Sequence, residues 1–227
     1  MGGAAAMLTW DRWQFPDHEA HLPRRMRKFN LRVAGLDGQP RHTYQYPLYQ
    51  QALKATALRR VAVDVGAHVG LFSYWMVRDF AQVIAFEPVA EHRRCWEANV
   101  PARPVDVLYP CALGATVGSV GLTTPLGSSG GTHISGAGDV PIQPLDTFLV
   151  PVIDLLKVDC EGYELEVLRG AEATLRHCHP TICVEQRART TAAAGHGPAD
   201  AVKWLARLGA SVVWTDKSDY ILAWGRR

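Results

Sequence analysis

From Val61 onward, short apolar runs rich in β-branched residues alternate with stretches of helical periodicity, and this alternation constrains the chain more than any other feature. It is the pattern of a parallel sheet whose strands are joined by crossover helices. It predicts strands at Val61–Val65, Val83–Phe86, Val105–Leu108, Leu155–Val158, Thr181–Glu185, Ser211–Trp214 and Tyr220–Trp224. Helices are expected at Leu71–Phe80, Ala90–Asn99, Tyr163–His177 and Ala199–Leu208, the last opening beside Pro198 and stopping at Gly209. Only Thr215-Asp216-Lys217-Ser218-Asp219 separates the last two strands. That is too short for a crossover helix, so they must form an antiparallel hairpin at the end of a mostly parallel α/β sheet.

Residues 1 to about 58 stand apart, with boundaries good to a few residues. They are rich in aromatic, proline and basic residues, and their periodicity is poor until a candidate helix at Tyr46–Leu58. We divide the chain into this opening section and a regular domain over 59–227. Between Gly114 and Pro144 the composition turns to Gly, Ser and Thr. There Gly127–His133 reads as a flexible loop, flanked by candidate accessory strands at Val117–Thr123 and Val140–Gln143.

A length of 227 residues suits one α/β domain with a full core. The formal charge of +2 gives little pull toward nucleic acid or membrane. The Arg24-Arg25-Met26-Arg27-Lys28 run is read as a solvated face, with an anionic substrate or RNA as the alternatives. Five cysteines without a CxxC pair or disulfide framework suit a reducing cytoplasm. No signal-peptide pattern and no membrane-length apolar run is expected.

Three constellations carry chemistry. The first strand ends on Asp64 and breaks into a turn with Gly66 and Gly70. In open α/β sheets, ligands sit beyond the carboxyl ends of the strands. The pattern lacks a glycine of the GxGxxG pyrophosphate loop, and a carboxylate there would repel phosphate. It would attract an amino acid ammonium, as in S-adenosylmethionine. Glu87 follows the second strand, where an acid can bind ribose hydroxyls, and Pro88 ends that strand. Lys157, Asp159 and Glu161 surround the end of a central strand. Ionisable groups there need partners or water, so they mark either a site or a helix cap neutralised by Lys157.

The strings Val63-Asp64-Val65-Gly66-Ala67-His68-Val69-Gly70, Ala85-Phe86-Glu87-Pro88, Asn99, Cys111-Ala112-Leu113-Gly114, Leu145-Asp146-Thr147-Phe148, Leu156-Lys157-Val158-Asp159-Cys160-Glu161-Gly162-Tyr163-Glu164, Val167-Leu168-Arg169-Gly170-Ala171 and Val184-Glu185 together resemble the FkbM-type methyltransferases. The resemblance runs from about Val61 to Glu185 and does not extend to the opening section, which is expected to cover the cofactor or help bind substrate. It implies a class I S-adenosylmethionine-dependent fold with strand order 3-2-1-4-5-7-6. It also implies a cofactor site in which Asp64, Gly66, Ala67, His68 and Gly70 hold the methionine end. Glu87 and Pro88 would lie at the ribose, Cys111 and Ala112 by the adenine, and Asp159 at the sulfonium and acceptor.

Methyl transfer is an in-line displacement in which the protein supplies binding, orientation and a base. Asp159 and Glu161 are the first candidates for that base. Lys157 would tune them or orient the acceptor, and Glu185 would share the site. His133 is a rival base. His68 is expected to matter through its backbone more than its ring. No ligand spacing supports a metal. The expected reaction is O-methylation of a hydroxyl on a saccharide or small natural product, with nitrogen as the alternative acceptor atom. The rival readings are an NAD-dependent oxidoreductase and a non-catalytic S-adenosylmethionine-binding protein. The expected partner is thus a small-molecule or glycan acceptor, not nucleic acid or a membrane; the oligomeric state is not readable.

Overall fold

The structure is a computed structural model describing residues 6–225. Among these residues, seven strands form the central sheet. They are β1 (Val61–Val65), β2 (Gln82–Phe86), β3 (Val107–Tyr109), β4 (Leu155–Val158), β5 (Thr181–Glu185), β6 (Ala210–Asp216) and β7 (Asp219–Trp224). Their order is 3-2-1-4-5-7-6, with β7 antiparallel to both neighbours and the other pairings parallel. This is the class I methyltransferase order, and the terminal hairpin forms as expected. The hairpin is longer than expected and carries a bulge between Val212 and Trp214.

Both faces of the sheet are covered, which is why β1 and β4 read as unbroken apolar runs apart from Asp64 and Lys157. On one face Ala62, Val83, Leu155 and Ile221 pack against Phe72, Trp75 and Met76, around helix Ser73–Asp79. Trp13, Phe15, Leu22, Met26 and Tyr49 of the opening section lie in that same core. On the other face Val63, Val65, Leu156 and Val184 meet Leu165, Leu168, Leu175 and Leu205.

The opening section folds into a hairpin (Met7–Trp10 with Trp13–Pro16), helix His21–Phe29, a second hairpin (Arg32–Ala34 with Pro40–His42) and helix Tyr46–Ala55. The last of these stops short of the expected Leu58. Asn99 ties this section to the sheet. Its side chain accepts a hydrogen bond from Gln14 N (2.7 Å) and donates to the carbonyls of Gln14 (2.8 Å) and Val69 (2.7 Å).

The single helix expected at Tyr163–His177 is two helices, Glu164–Arg169 and Glu172–Cys178. A Cβ on Gly170 would lie 2.0 Å from the Gly114 carbonyl, so a neighbouring backbone occupies that side of the chain. Asp146 then caps the second helix, accepting from the N–H groups of Ala173 (3.0 Å) and Thr174 (2.9 Å). The periodicity of the leucines persists across the break because both helices bury the same side.

Candidate active site

A cavity opens beyond the carboxyl ends of β1, β2 and β4, with about 1190 Å³ between its atoms, mouth included. One wall is the turn after β1. Gly66 adopts φ +70° and Gly70 φ +85°, and even His68 is left-handed at φ +51°. A side chain on Gly66 would meet the Asp159 carbonyl at 2.1 Å, so β4 forces that position to be bare. The amides of Gly66 and Ala67 both donate to the Phe86 carbonyl at 3.1 Å.

Glu87 is buried at the cavity wall and held at three points. Its carboxylate accepts from His68 N (2.9 Å) and Val89 N (2.9 Å), and His92 Nδ1 lies 3.2 Å away. The glycine turn thus aims this acid. Pro88, Cys111, Ala112, Leu113 and Phe86 continue the wall and give it an apolar stretch.

The His68 ring does more than the sequence suggests. Burial, with the charge of His92 and Lys157, pushes its pKa well below the ordinary histidine value, so it is neutral at pH 7. Its Nε2 lies 2.7 Å from Ser129 Oγ. Ser129 donates from N (2.6 Å) and Oγ (2.5 Å) to Glu19, so His68 Nε2–H is the donor in its contact with Ser129. Three separate segments are joined in this way: the opening section, the Gly/Ser-rich loop and the glycine turn. The segment read as a flexible loop holds a 3-10 turn at Ser129–Gly131, with Ser129 fully buried.

Asp64 is not at the rim. It is fully buried and absent from the cavity wall, as is Gly70. One oxygen accepts from the Ser73 hydroxyl (2.6 Å), and the other lies 3.1 Å from Lys157 Nζ. The parallel register of β1 and β4 sets Lys157 directly opposite Asp64, so the two meet inside the sheet. Lys157 Nζ also donates to the Gly66 carbonyl (2.8 Å) and lies 3.9 Å from Asp159. Burial alone would lower the lysine pKa, but Asp64, and then Asp159, outweigh it and hold the ammonium above its ordinary value. The methionine-end attraction assigned to Asp64 therefore has no exposed carboxylate behind it, and Asp159 is the acid of this trio that faces the cavity.

Asp159, Glu161 and Glu185 bring carboxylate oxygens within 4.8 Å of one another. Arg187 lies among them, 2.9 Å from Glu161 and 2.7 Å from Glu185. Burial pushes the pKa of both glutamates up, Asp159 pushes it further, and Arg187 opposes. Asp159 and Glu161 line the cavity, whereas Glu185 stands behind Arg187. His133 is also in the wall, with Nδ1 3.0 Å from the Gly131 carbonyl. Tyr44 and Arg25 complete this end, the Arg25 guanidinium sitting 4.1 Å above the Tyr44 ring.

Several of these groups were not singled out in the sequence. Arg187 carried a usable signal, because it falls two residues after Glu185 and so shares its side of the extended chain. Tyr44, Glu19, Ser129 and His92 carried none.

Behind the site, Glu164 accepts from the amides of Cys160 and Gly162, both at 2.9 Å. Burial outweighs those bonds and raises its pKa to about 7. Its unfolded value is near 4.5, so its contribution to stability is full below that and is lost as pH rises through about 7. The stability of Glu164→Gln relative to the parent is therefore expected to rise between pH 5 and pH 8, by on the order of 2 kcal/mol. Urea unfolding at the two pH values measures this, and a pH-independent difference would contradict it.

A seven-stranded 3-2-1-4-5-7-6 sheet with a buried acid, Glu87, beside a glycine turn has the class I methyltransferase architecture. Residues 64–212 match the Methyltransferase FkbM domain, and the chain belongs to that family. S-adenosylmethionine is the cofactor this membership implies. A curated relative is "Methyltransferase 1" of Beauveria bassiana (strain ARSEF 2860), 28% identical over 143 residues, covering 48% of this chain and 57% of the relative. Among solved structures, Methyltransferase FkbM from Methylobacillus flagellatus KT is 15% identical at a TM-score of 0.46, covering 78% of this chain and 58% of the other. N-methyltransferase NodS from Bradyrhizobium japonicum WM9 is 11% identical at 0.47, covering 79% and 93%. The chain thus spans rather more than half the length of the fungal relative and of the Methylobacillus protein. Among the described residues, no helix is long and apolar enough to cross a membrane.

Proposed function

We propose that this protein is an S-adenosylmethionine-dependent methyltransferase that methylates a hydroxyl group on a saccharide or small natural product. The observation that carries the reading is the juxtaposition in one cavity of the fixed Glu87 acid and the Asp159–Glu161 acids. The residues present fit the cofactor. Glu87 offers acceptors to a ribose diol, the wall at Phe86, Cys111, Ala112 and Leu113 suits a flat base, and Asp159 and Glu161 line the far end. A pyrophosphate would meet those acids, which disfavours a dinucleotide.

When bound, S-adenosylmethionine supplies an electrophilic methyl group on a sulfonium. In this proposal Gly66, Ala67 and His68 bring backbone close to its methionine end. Asp159 accepts the acceptor's hydroxyl proton on a carboxylate oxygen. Glu161 and Glu185 are held by Arg187, which leaves Asp159 the least encumbered base of the three. Lys157 acts through position: its ammonium is bonded to Asp64 and Gly66 and lies 3.9 Å from Asp159. The opening section acts as a cover, with Tyr44 in the cavity wall and Glu19 holding Ser129 of the Gly/Ser-rich loop. All five cysteines are free, in keeping with a reducing compartment such as the cytoplasm.

Calorimetric titration tests the donor half. S-adenosylhomocysteine is expected to bind and to raise the melting temperature, and NADH to do neither. Stabilisation by NADH alone would sink the reading. A panel of hydroxylated and amine acceptors, read by S-adenosylhomocysteine release, tests the acceptor atom; turnover confined to amines would replace oxygen by nitrogen.

A further inference from the structure

Helix His21–Phe29 carries His21, Arg24, Arg25 and Lys28 at i, i+3, i+4 and i+7, which places them on one helical face. Its opposite side is fixed, because Leu22, Pro23 and Met26 are buried. Its start is pinned as well. Glu19 accepts from Leu22 N (2.7 Å), and the Gly127 carbonyl accepts from Ala20 N and His21 N at 3.1 Å. His21 and Arg25 line the main cavity, and the same four residues line a shallow second pocket that shares those two with it.

The charges on this face make no ion pair. Among the described residues, no carboxylate lies within ion-pair distance of Arg24, Arg25 or Lys28, whereas Arg41, Arg60 and Arg103 each hold one and Arg187 holds two. Like charges three or four residues apart on a helix repel one another, so the arrangement costs stability unless an anion meets it. Inward from this face the sign changes: Asp159 and Glu161 are in the wall of the main cavity, which Arg25 also lines, while Arg24 and Lys28 line only the second pocket. A small molecule reaching from the main cavity into the second pocket has one favourable orientation, with any anionic group outward on Arg24 and Lys28 and its neutral end inward at the acids.

We propose that this helix face seats an oxyanion, such as a phosphate or carboxylate, carried by the methyl acceptor, and so selects acidic acceptors and sets which atom faces Asp159. This rests on the methyltransferase reading. Arg25 is the hinge of the arrangement, since it belongs to both pockets and is steadied by the Tyr44 ring.

The probe is inorganic phosphate, titrated into the full chain saturated with S-adenosylhomocysteine. Binding is expected in the wild-type protein, weakening with added sodium chloride. In the Arg24→Gln/Lys28→Gln double variant it is expected to weaken about tenfold, consistent with losing charge-assisted hydrogen bonds. Both substitutions are on exposed positions, and retained S-adenosylhomocysteine affinity shows that the variant is folded. Phosphate binding that is absent, or indifferent to the double substitution, overturns the proposal. A second arm uses phosphatidylcholine vesicles containing phosphatidylserine. Vesicle binding that the double substitution abolishes, with no binding of free phosphate, would overturn it in favour of a membrane-docking face. Failure of the wild-type protein to bind S-adenosylhomocysteine removes the donor reading itself; donor binding without phosphate binding removes only this inference.

Discussion

Asp159→Asn is expected to lower kcat by about 10²- to 10⁴-fold with the acceptor identified by the panel, the range for loss of a positioned base. The reason is local. Among the three converging carboxylates, Arg187 holds Glu161 and Glu185, while Asp159 faces the cavity with Lys157 3.9 Å away. Asparagine keeps the shape but cannot take the proton. Lys157 retains Asp64 as its partner, so the fold should survive. S-adenosylhomocysteine has an uncharged sulfur, whereas the donor carries a cation. The variant should therefore bind S-adenosylhomocysteine nearly as the parent does and the donor several-fold more weakly, as expected for removing one nearby charge. A kcat within about twofold of the parent would remove Asp159 as the base. Loss of turnover in His133→Gln alone would transfer that role to the histidine.

The largest stability effect is expected at Lys157. Its ammonium and the Asp64 carboxylate are both buried inside the sheet. Replacing Lys157 with Met leaves Asp64 charged and unpaired. This should cost about 3–5 kcal/mol, a drop in melting temperature on the order of 10 °C for a chain of this size. The double variant Asp64→Asn/Lys157→Met should recover most of that loss, because no lone buried charge remains. Urea unfolding of the parent, the single and the double variant measures the coupling. If the single variant were as stable as the parent, the pair would have no structural role, and Lys157 would be free to act on the acceptor.

Much of the fold was legible because backbone periodicity is a local property. β1, β4, β5 and helix Ala90–Asn99 have the limits their residue patterns gave, and the five-residue connection alone required the terminal hairpin. The break at Gly170 was not legible. It depends on the Gly114 backbone and the Asp146 carboxylate, and both are more than twenty residues away in sequence.

The sites divide in the same way. By itself the sequence determined that acids stand at strand ends beside a glycine turn, because those positions follow from the chain's own order. Only the tertiary structure decided what each acid touches. The β1–β4 register turned Asp64 inward to Lys157 and left Asp159 facing the cavity. Packing of the opening section brought Arg25 and Tyr44 to the cavity wall and set Glu19 against Ser129 of that wall. A residue's charge is written in the sequence, but its partner and its exposure are set by contacts between segments far apart along the chain.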